Sequence, residues 1–293
     1  MKRFDLSQFK TYLTDTKKIS ASSAECYLRD ILSFESFLSE NNQSLLAATK
    51  TNVLAFMVDM QKSGKADASV NRTISSLRTL YGYLLHNSSV KADPTWGIKL
   101  PRIEKKAHDI LSLREIDALL DISDDESPLA IRDRAMLEVM YAGGLSVTEL
   151  ISLRECDIDT DLGYIRCTQS RSIRIVPLGK KAIEAVKKYV ENLRPRIAED
   201  NVKTLFVNYI GQPMSRQGFW KLIKEYAKKK GIEKDITPRT LRASFAIHLI
   251  ENGADIYAVQ EMMGHKDISS TQSYARLAGG KIREVYNKTH PRA

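Results

Sequence analysis

Apolar side chains recur at helical spacing in two stretches of the first hundred residues. In the first stretch they stand at Tyr27, Ile31, Phe34 and Leu38. In the second stretch they stand at Val70, Ile74, Leu77, Tyr81 and Leu84. Positions three or four residues apart share one face of an α-helix, so both stretches are predicted to be amphipathic helices that bury this face. We therefore expect an all-α N-terminal domain.

The helical pattern dissolves between His86 and Ser112. This stretch contains Asp93-Pro94, Pro101 and a charged run that ends at Lys106. Such composition is typical of a linker between domains. The expected boundaries are an N-terminal domain at residues 1–87, a linker at 88–110 and a C-terminal domain at 111–293.

Helical spacing then returns in three segments, at about residues 113–120, 128–141 and 147–153. Tyr164, Ile165 and Cys167 come next, and after a polar turn Ile173, Ile175 and Val176 precede Pro177, which together predict a β-hairpin. We expect a mainly α C-terminal domain that carries a small antiparallel sheet. Residues 147–157 could instead be a helix-turn-helix fragment, but the hairpin has no place in that interpretation.

Composition restricts the class of protein. Lys and Arg number 45 against 36 Asp and Glu, which gives a net charge of +9 and favours a polyanionic partner such as nucleic acid. No apolar run is long enough for a membrane span, and the first 20 residues lack the pattern of a secretory signal, so a cytoplasmic protein is expected. The three cysteines and five histidines show no disulfide framework and no paired metal-ligand spacing.

A polar face on the second predicted helix is a candidate for such a partner. Asn71, Ser75 and Arg78 align away from the apolar stripe, and Arg72 follows Asn71 in the sequence. Two interpretations stay open. The face contacts DNA through Asn71, Arg72 and Arg78, or it is an ordinary solvated helix surface.

The most informative segment of the sequence is near the C-terminus. It reads Thr-Pro-Arg-Thr-Leu-Arg from Thr237 to Arg242. Two short motifs follow, Met-Gly-His, which ends at His265, and Thr-Gln-Ser-Tyr, which ends at Tyr274. Thr237 with Pro238 predicts a helix start, and Gly264 predicts a helix stop. Arg242, His265 and Tyr274 are therefore expected at helix ends or faces that can converge.

These motifs resemble the C-terminal signature of the tyrosine recombinase (phage integrase) family. The resemblance runs through nearly the whole chain and is closest to the Xer branch, which resolves chromosome dimers. It includes the segments from Tyr141 to Leu150 and from Val176 to Gly179, and an ending from Ile282 to Ala293. It implies a helical SAM-like core-binding domain followed by the recombinase catalytic-type domain, with a tail helix at 281–288.

The family implies a role for each retained residue. Tyr274 corresponds to the nucleophile, which forms a 3′-phosphotyrosyl link to DNA without a metal or nucleotide cofactor. Arg242 corresponds to a phosphate clamp, and His265 to a donor to the reacting phosphate. The family also implies a partnership with other recombinase protomers through exchange of the tail, for which Gly279-Gly280 is the expected hinge.

Three positions depart from the family pattern. Ser146 stands where the family has its first catalytic arginine, and serine is neutral and short. Gln169 stands where the hairpin lysine acts as general acid, and an amide does not release a proton. Arg239 replaces a histidine and keeps a phosphate contact. The neighbouring Arg171 and Arg174 restore charge near Gln169, but a guanidinium is a poor proton donor.

Two function classes follow. One is a DNA-binding paralogue that acts in site-specific recombination or integration with strongly reduced strand cleavage. The other is an active Xer-like recombinase that cuts through Tyr274. The substitutions at Ser146 and Gln169 favour the first class, while the retained Tyr274 and tail favour the second. Packed tyrosine and helix-capping histidine are the ordinary alternatives for Tyr274 and His265 taken one at a time.

Overall fold

The computed structural model describes residues 5–102, 109–123, 127–168, 173–265 and 267–277. The chain divides into two compact units, residues 1–106 and 107–293. Each unit has its own buried apolar core. The expected tail helix at 281–288 and the Gly279-Gly280 hinge lie outside the described residues.

The first unit is all helical in its described part. Its α-helices are α1 (Leu6–Thr11), α2 (Ala21–Glu40), α3 (Lys50–Lys62) and α4 (Asp67–His86), with a π-helical turn at Tyr12–Thr16 and a 3-10 turn at Leu45–Ala47. The two apolar stripes predicted from the sequence form the buried faces of α2 and α4, so that prediction is confirmed. The short helix α1 and the helix α3 were not predicted.

A buried polar contact joins α2 and α4 inside this unit. Asp30 is 6% exposed, and its carboxylate accepts hydrogen bonds from Arg72 Nη2 at 2.8 Å and Ser76 Oγ at 2.8 Å. Both oxygens of the carboxylate are therefore partnered, which offsets the cost of burying it. We call the pair of Arg72 and Asp30, together with the hydrogen-bonded Ser76, the N-terminal ion pair.

The second unit is helical around a small sheet. Its helices are α5 (Leu113–Leu120), α6 (Ala130–Gly143), α7 (Val147–Ser152), α8 (Lys180–Asn192), α9 (Arg194–Ile197), α10 (Arg216–Lys229), α11 (Pro238–Glu251), α12 (Ile256–Met263) and α13 (Ile268–Leu277). Helix α6 is buried on nearly all sides, as expected for a helix at the centre of a core. A smaller apolar cluster joins α11, α12 and α13.

The sheet has three antiparallel strands in the order β1 (Ile158–Asp159), β2 (Tyr164–Cys167) and β3 (Arg174–Pro177). Strands β2 and β3 form the predicted hairpin, with Ile165 opposite Val176 and Cys167 opposite Arg174. Strand β1 was not predicted, because two residues are too few to show a period in the sequence.

The segment after α7 excludes the helix-turn-helix interpretation. Helix α7 is followed by a 3-10 turn at Glu155–Asp157 and then by strand β1, so no second helix stands where a recognition helix would be needed. Within the described residues, no helix is long and apolar enough to cross a membrane. The same part of the chain holds no group of His, Cys, Asp or Glu suited to a metal ion.

Candidate active site

A tight turn between α6 and α7 builds the first wall of the site. Gly144 ends α6 in the left-handed conformation with φ 53°, and a Cβ at this position would lie 2.2 Å from the Phe245 ring. Glycine is therefore required for both the backbone angle and the space. The turn places Ser146 at the first capping position of α7.

The side chain of Ser146 forms this cap. Its backbone N–H and its hydroxyl each donate to Glu149 Oε2 at 2.8 Å, and Ser146 Oγ accepts from the Glu149 N–H at 3.3 Å. This is a capping box, in which the first and fourth residues satisfy each other's free groups. The serine hydroxyl thus points to a neighbour within the helix and holds the Glu149 carboxylate in place.

Arg174 reaches the same carboxylate from strand β3. The side chain is almost fully buried, pairs with Glu149 Oε1, and donates from Nε to the Met262 carbonyl at 2.7 Å. Its Nη2 is buried and has no hydrogen-bond partner. Gly264, with φ 66°, lets the guanidinium approach, because a Cβ there would lie 2.8 Å from Arg174 Nη1.

Arg242 reaches Glu149 from α11. Its Nη1 donates to the Gly144 carbonyl at 2.6 Å, and its Nη2 donates to the Met263 carbonyl at 2.6 Å. Nη1 also lies 3.6 Å from Glu149 Oε2. Two guanidinium groups therefore share one carboxylate. We call Arg174, Glu149 and Arg242 the arginine cluster.

The charges in the arginine cluster do not cancel. Burial by itself raises the pKa of Glu149, but hydrogen bonds from Arg174 and Ser146, together with the charge of Arg174, outweigh this and hold the pKa below its ordinary value. The carboxylate is ionised at neutral pH. Two cations and one anion leave a net charge of +1 in a partly dehydrated place, where an additional anion would be attracted.

His265 and Tyr274 lie beside this cluster. His265 follows α12, and its Nδ1 is 2.9 Å from Thr271 Oγ1. The rings of His265 and Tyr274 are roughly parallel, at an angle of 25°, with centroids 6.2 Å apart. Burial, and then the charges of Arg242 and Arg174, lower the pKa of His265 to about 4. The imidazole is therefore neutral near pH 7 and has one N–H to donate.

Tyr274 is mostly buried. It is 6% exposed and packs with the apolar cluster of α11, α12 and α13. This burial fits a tyrosine that packs in the core without a catalytic role. Its ring nevertheless lies beside His265, the histidine that belongs to the same sequence motif. The structure thus brings Arg242, His265 and Tyr274 together and adds Arg174 to them.

The other candidates have different surroundings. Arg239 is exposed in the first turn of α11, one turn before Arg242. Gln169 and Arg171 lie outside the described residues. On α4, Asn71 Nδ2 donates to the Pro101 carbonyl at 2.9 Å, and Arg78 Nη2 donates to the Ile98 carbonyl at 2.6 Å. Asn71 and Arg78 therefore bind the segment of this chain that contains Ile98 and Pro101. Arg72 belongs to the N-terminal ion pair.

Sequence reasoning missed Glu149 and Thr271. Glu149 could have been noticed, because Ser-x-x-Glu before an apolar run is the signature of a capping box. Its link to two arginines from distant parts of the chain carries no local signal. Thr271 is fully buried and contacts His265 across the start of α13. Nothing in its sequence neighbours distinguishes it from any other threonine in a helix.

The comparisons with known proteins agree along the chain. Residues 109–280 match the Phage integrase family, and residues 6–88 match the Phage integrase N-terminal SAM-like domain. Tyrosine recombinase XerD of Listeria innocua is 40% identical over 293 residues, which cover 98% of this chain and 99% of the relative. Tyrosine recombinase XerD of Halalkalibacterium halodurans is 38% identical, with 99% and 98% covered.

Solved structures share the fold. The XerA recombinase has a TM-score of 0.57 at 26% identity and covers 98% of both chains. The XerH site-specific recombinase, solved in a post-cleavage complex with its palindromic difH substrate, has a TM-score of 0.72 at 19% identity, with 96% of this chain and 84% of that chain covered. The two family matches and the nearly full-length relatives point the same way as the motifs: this chain belongs to the phage integrase family of tyrosine recombinases.

Proposed function

We propose that this protein binds duplex DNA in site-specific recombination and holds a phosphodiester at the arginine cluster, with strongly reduced ability to cut the strand. One observation carries the proposal: two buried guanidinium groups share a single carboxylate next to a neutral histidine and a tyrosine. A phosphodiester carries one negative charge, which balances the +1 of the cluster.

The chemistry available to such a phosphate is transfer to Tyr274. The phenolic oxygen would attack phosphorus and form a 3′-phosphotyrosyl ester, while the bond to the 5′-oxygen breaks. The phenol loses its proton, and the departing 5′-oxygen must gain one. Arg242 and neutral His265 can donate hydrogen bonds to the phosphate oxygens during this transfer.

Cleavage is expected to be slow because the site lacks one cationic group and the general acid. Ser146 is engaged with Glu149, so it brings no donor to a phosphate, and it carries no charge. Gln169 has no proton to give to the leaving oxygen. Loss of one such preorganised group typically lowers a rate by about 10²- to 10³-fold, and losses within one site do not simply multiply. We therefore infer a DNA-binding role in which cleavage is slow.

A second function is an active recombinase. The proximity of His265 and Tyr274, with Arg242 on the same cluster, favours it. In this case Arg174, Arg239, Arg171 or a neighbouring protomer would supply the missing cation and acid. Rapid cleavage of ordinary DNA by the unaltered protein would establish this function.

Partners and organisation follow from the same proposal. We propose that domains at 1–87 and 111–293, joined by the linker at 88–110, both contact duplex DNA in the cytoplasm. We also propose that the tail from Gly280 onward docks on another recombinase protomer. Deletion of that tail should weaken cooperative filling of adjacent DNA sites and leave binding to a single site unchanged.

The experiment is a mobility shift with duplex DNA at several salt concentrations. The logarithm of the affinity should fall linearly with the logarithm of salt concentration, with a slope of about −0.9 for each phosphate neutralised. Arg242→Gln should weaken binding and flatten the slope. Arg194→Gln is the matched control, since this largely buried arginine is balanced by Glu155. Binding to no duplex at low salt, or binding that salt does not affect, would refute the proposal.

A further inference from the structure

Trp96 is unusually exposed for a residue whose neighbours are buried. It is 80% exposed, whereas Thr95 is 1% exposed and Ile98 is 5% exposed. Isolated exposed apolar residues are common and need no explanation. Trp96 is a different case, because it is a large indole on a segment whose backbone is anchored on both sides.

The anchoring comes from a turn and from α4. Asp93 Oδ1 accepts hydrogen bonds from the Thr95 N–H at 2.8 Å and the Thr95 hydroxyl at 2.6 Å, and the Trp96 N–H donates to the Asp93 carbonyl at 3.2 Å. The hydrogen bonds of Arg78 to Ile98 and of Asn71 to Pro101 tie the following residues to α4. The polar face of α4 thus positions this segment.

Cationic side chains are frequent in this segment. The chain from residue 91 to residue 102 holds three exposed cationic side chains, Lys91, Lys99 and Arg102. Asp93 is the one acidic residue in that stretch, and it is occupied by Thr95. Lys50, the first residue of α3, brings its Nζ beside Gly97, the residue after Trp96. The exposed indole thus belongs to a segment rich in positive charge, and one lysine of α3 reaches this segment.

We propose that Trp96 is a DNA contact, with the indole packed against the sugar–phosphate backbone while Lys50 and Lys99 pair with phosphates. An aromatic face among cations matches a polyanion that also offers apolar sugar surface. A surface for an apolar protein partner would be expected to carry fewer charges around its aromatic residue. The proposal rests on the proposed function, since it names a contact within the same DNA complex.

Fluorescence tests the contact directly. The chain has two tryptophans, Trp96 and Trp220, so the variant Trp220→Phe reports Trp96 alone. In the free variant, a soluble quencher such as acrylamide should reach the indole easily. Duplex DNA should change the emission and protect the indole from the quencher. Protection of Trp96 without DNA would overturn the proposal, because the ring would then pack on this chain or on a second copy.

Binding measurements separate the apolar contact from the ionic ones. Trp96→Ala should weaken duplex binding about tenfold with an unchanged salt slope, since a ring releases no counterions. Lys99→Ala should weaken binding and reduce the slope by about 1. Tyr209→Ala is the matched control, because Tyr209 is also 80% exposed.

The outcomes distinguish this proposal from the one on which it rests. If the unaltered protein binds no duplex, the proposed function fails. If it binds with the expected salt dependence while Trp96→Ala binds equally well and the emission does not change, only the role of Trp96 is refuted.

Discussion

Two polar clusters, one in each unit, bury arginine-bound carboxylates in different ways. In the N-terminal ion pair, one guanidinium faces one carboxylate, and the Arg72 side chain remains 51% exposed. In the arginine cluster, two guanidinium groups face one carboxylate, with Arg174 at 6% and Arg242 at 14% side-chain exposure. The first cluster is neutral and open on one side, and the second is positive and enclosed.

The difference separates a structural contact from the binding site that we propose. A balanced pair such as Arg72 and Asp30 has no need of a further anion, and its arginine can return to water. The excess positive charge of the arginine cluster is not solvated in this way, because both guanidinium groups are largely enclosed. The surrounding carbonyl oxygens accept hydrogen bonds but cancel no charge. An exposed arginine on a helix is therefore a weaker predictor of phosphate binding than a buried one without its own carboxylate.

The largest effect is expected from restoring the two family groups that Ser146 and Gln169 replace. Ser146→Arg with Gln169→Lys should raise cleavage of ordinary DNA by on the order of 10³ or more. Loss of the serine cap should cost about 1 kcal/mol of stability, so the gain is expected despite a small structural cost. Gel analysis of covalent protein–DNA product measures it, and adding Tyr274→Phe should remove the product. An unchanged rate would show that the substitutions are not what limits cleavage.

Removing the carboxylate from each cluster tests the charge difference. Glu149→Gln leaves two buried guanidinium groups without a counter-charge and should lower the free energy of unfolding by about 3 to 5 kcal/mol. Asp30→Asn should cost less, about 1 kcal/mol, because Arg72 can turn to solvent. Urea unfolding of the full chain, followed by circular dichroism, gives both values. Equal losses would contradict the distinction between an open and an enclosed cluster.

A smaller effect, on the affinity for DNA, should appear when the pH changes. It is expected only at the arginine cluster, which has a histidine beside it. The pKa of His265 is about 4 in the free protein, and a bound phosphate should raise it. Affinity for DNA should therefore increase as pH falls from 7 towards 5, by at most about tenfold for each unit of pKa rise. His265→Gln should remove this increase. A pH dependence that survives in the variant would assign it to another group.

The stability of the free protein should change in the opposite direction. Because the pKa of His265 in the folded protein, about 4, lies below the ordinary value of 6.5, the unfolded chain binds a proton in this interval that the folded chain does not. His265 therefore contributes a loss of stability as pH falls from 6.5 to 4. The same variant, His265→Gln, should show a weaker loss over this range in urea unfolding.

The sequence predicted what depends on local period and on motifs. The stripes of α2 and α4 and the β2–β3 hairpin are confirmed, because apolar spacing and turn residues act over short distances. The convergence of Arg242 with His265 was expected from the helix start at Thr237 and the helix stop at Gly264. The roles of Asn71 and Arg78 could not be anticipated, since a polar helix face looks the same whether it meets water, a ligand or the chain's own segment. Glu149 was missed because the two arginines that contact it come from β3 and α11.

Cleavage of a DNA substrate with a 5′-bridging phosphorothiolate tests the central claim most directly. The departing thiolate needs no proton, so this substrate removes the need for the acid that Gln169 cannot supply. If the arginine cluster holds the phosphate and Tyr274 is in reach, the unaltered protein should form covalent product with this substrate, form very little with ordinary DNA, and form none as Tyr274→Phe. Equal and rapid product formation from both substrates would contradict the reduced site, and absence of product from both would contradict a phosphate held next to Tyr274.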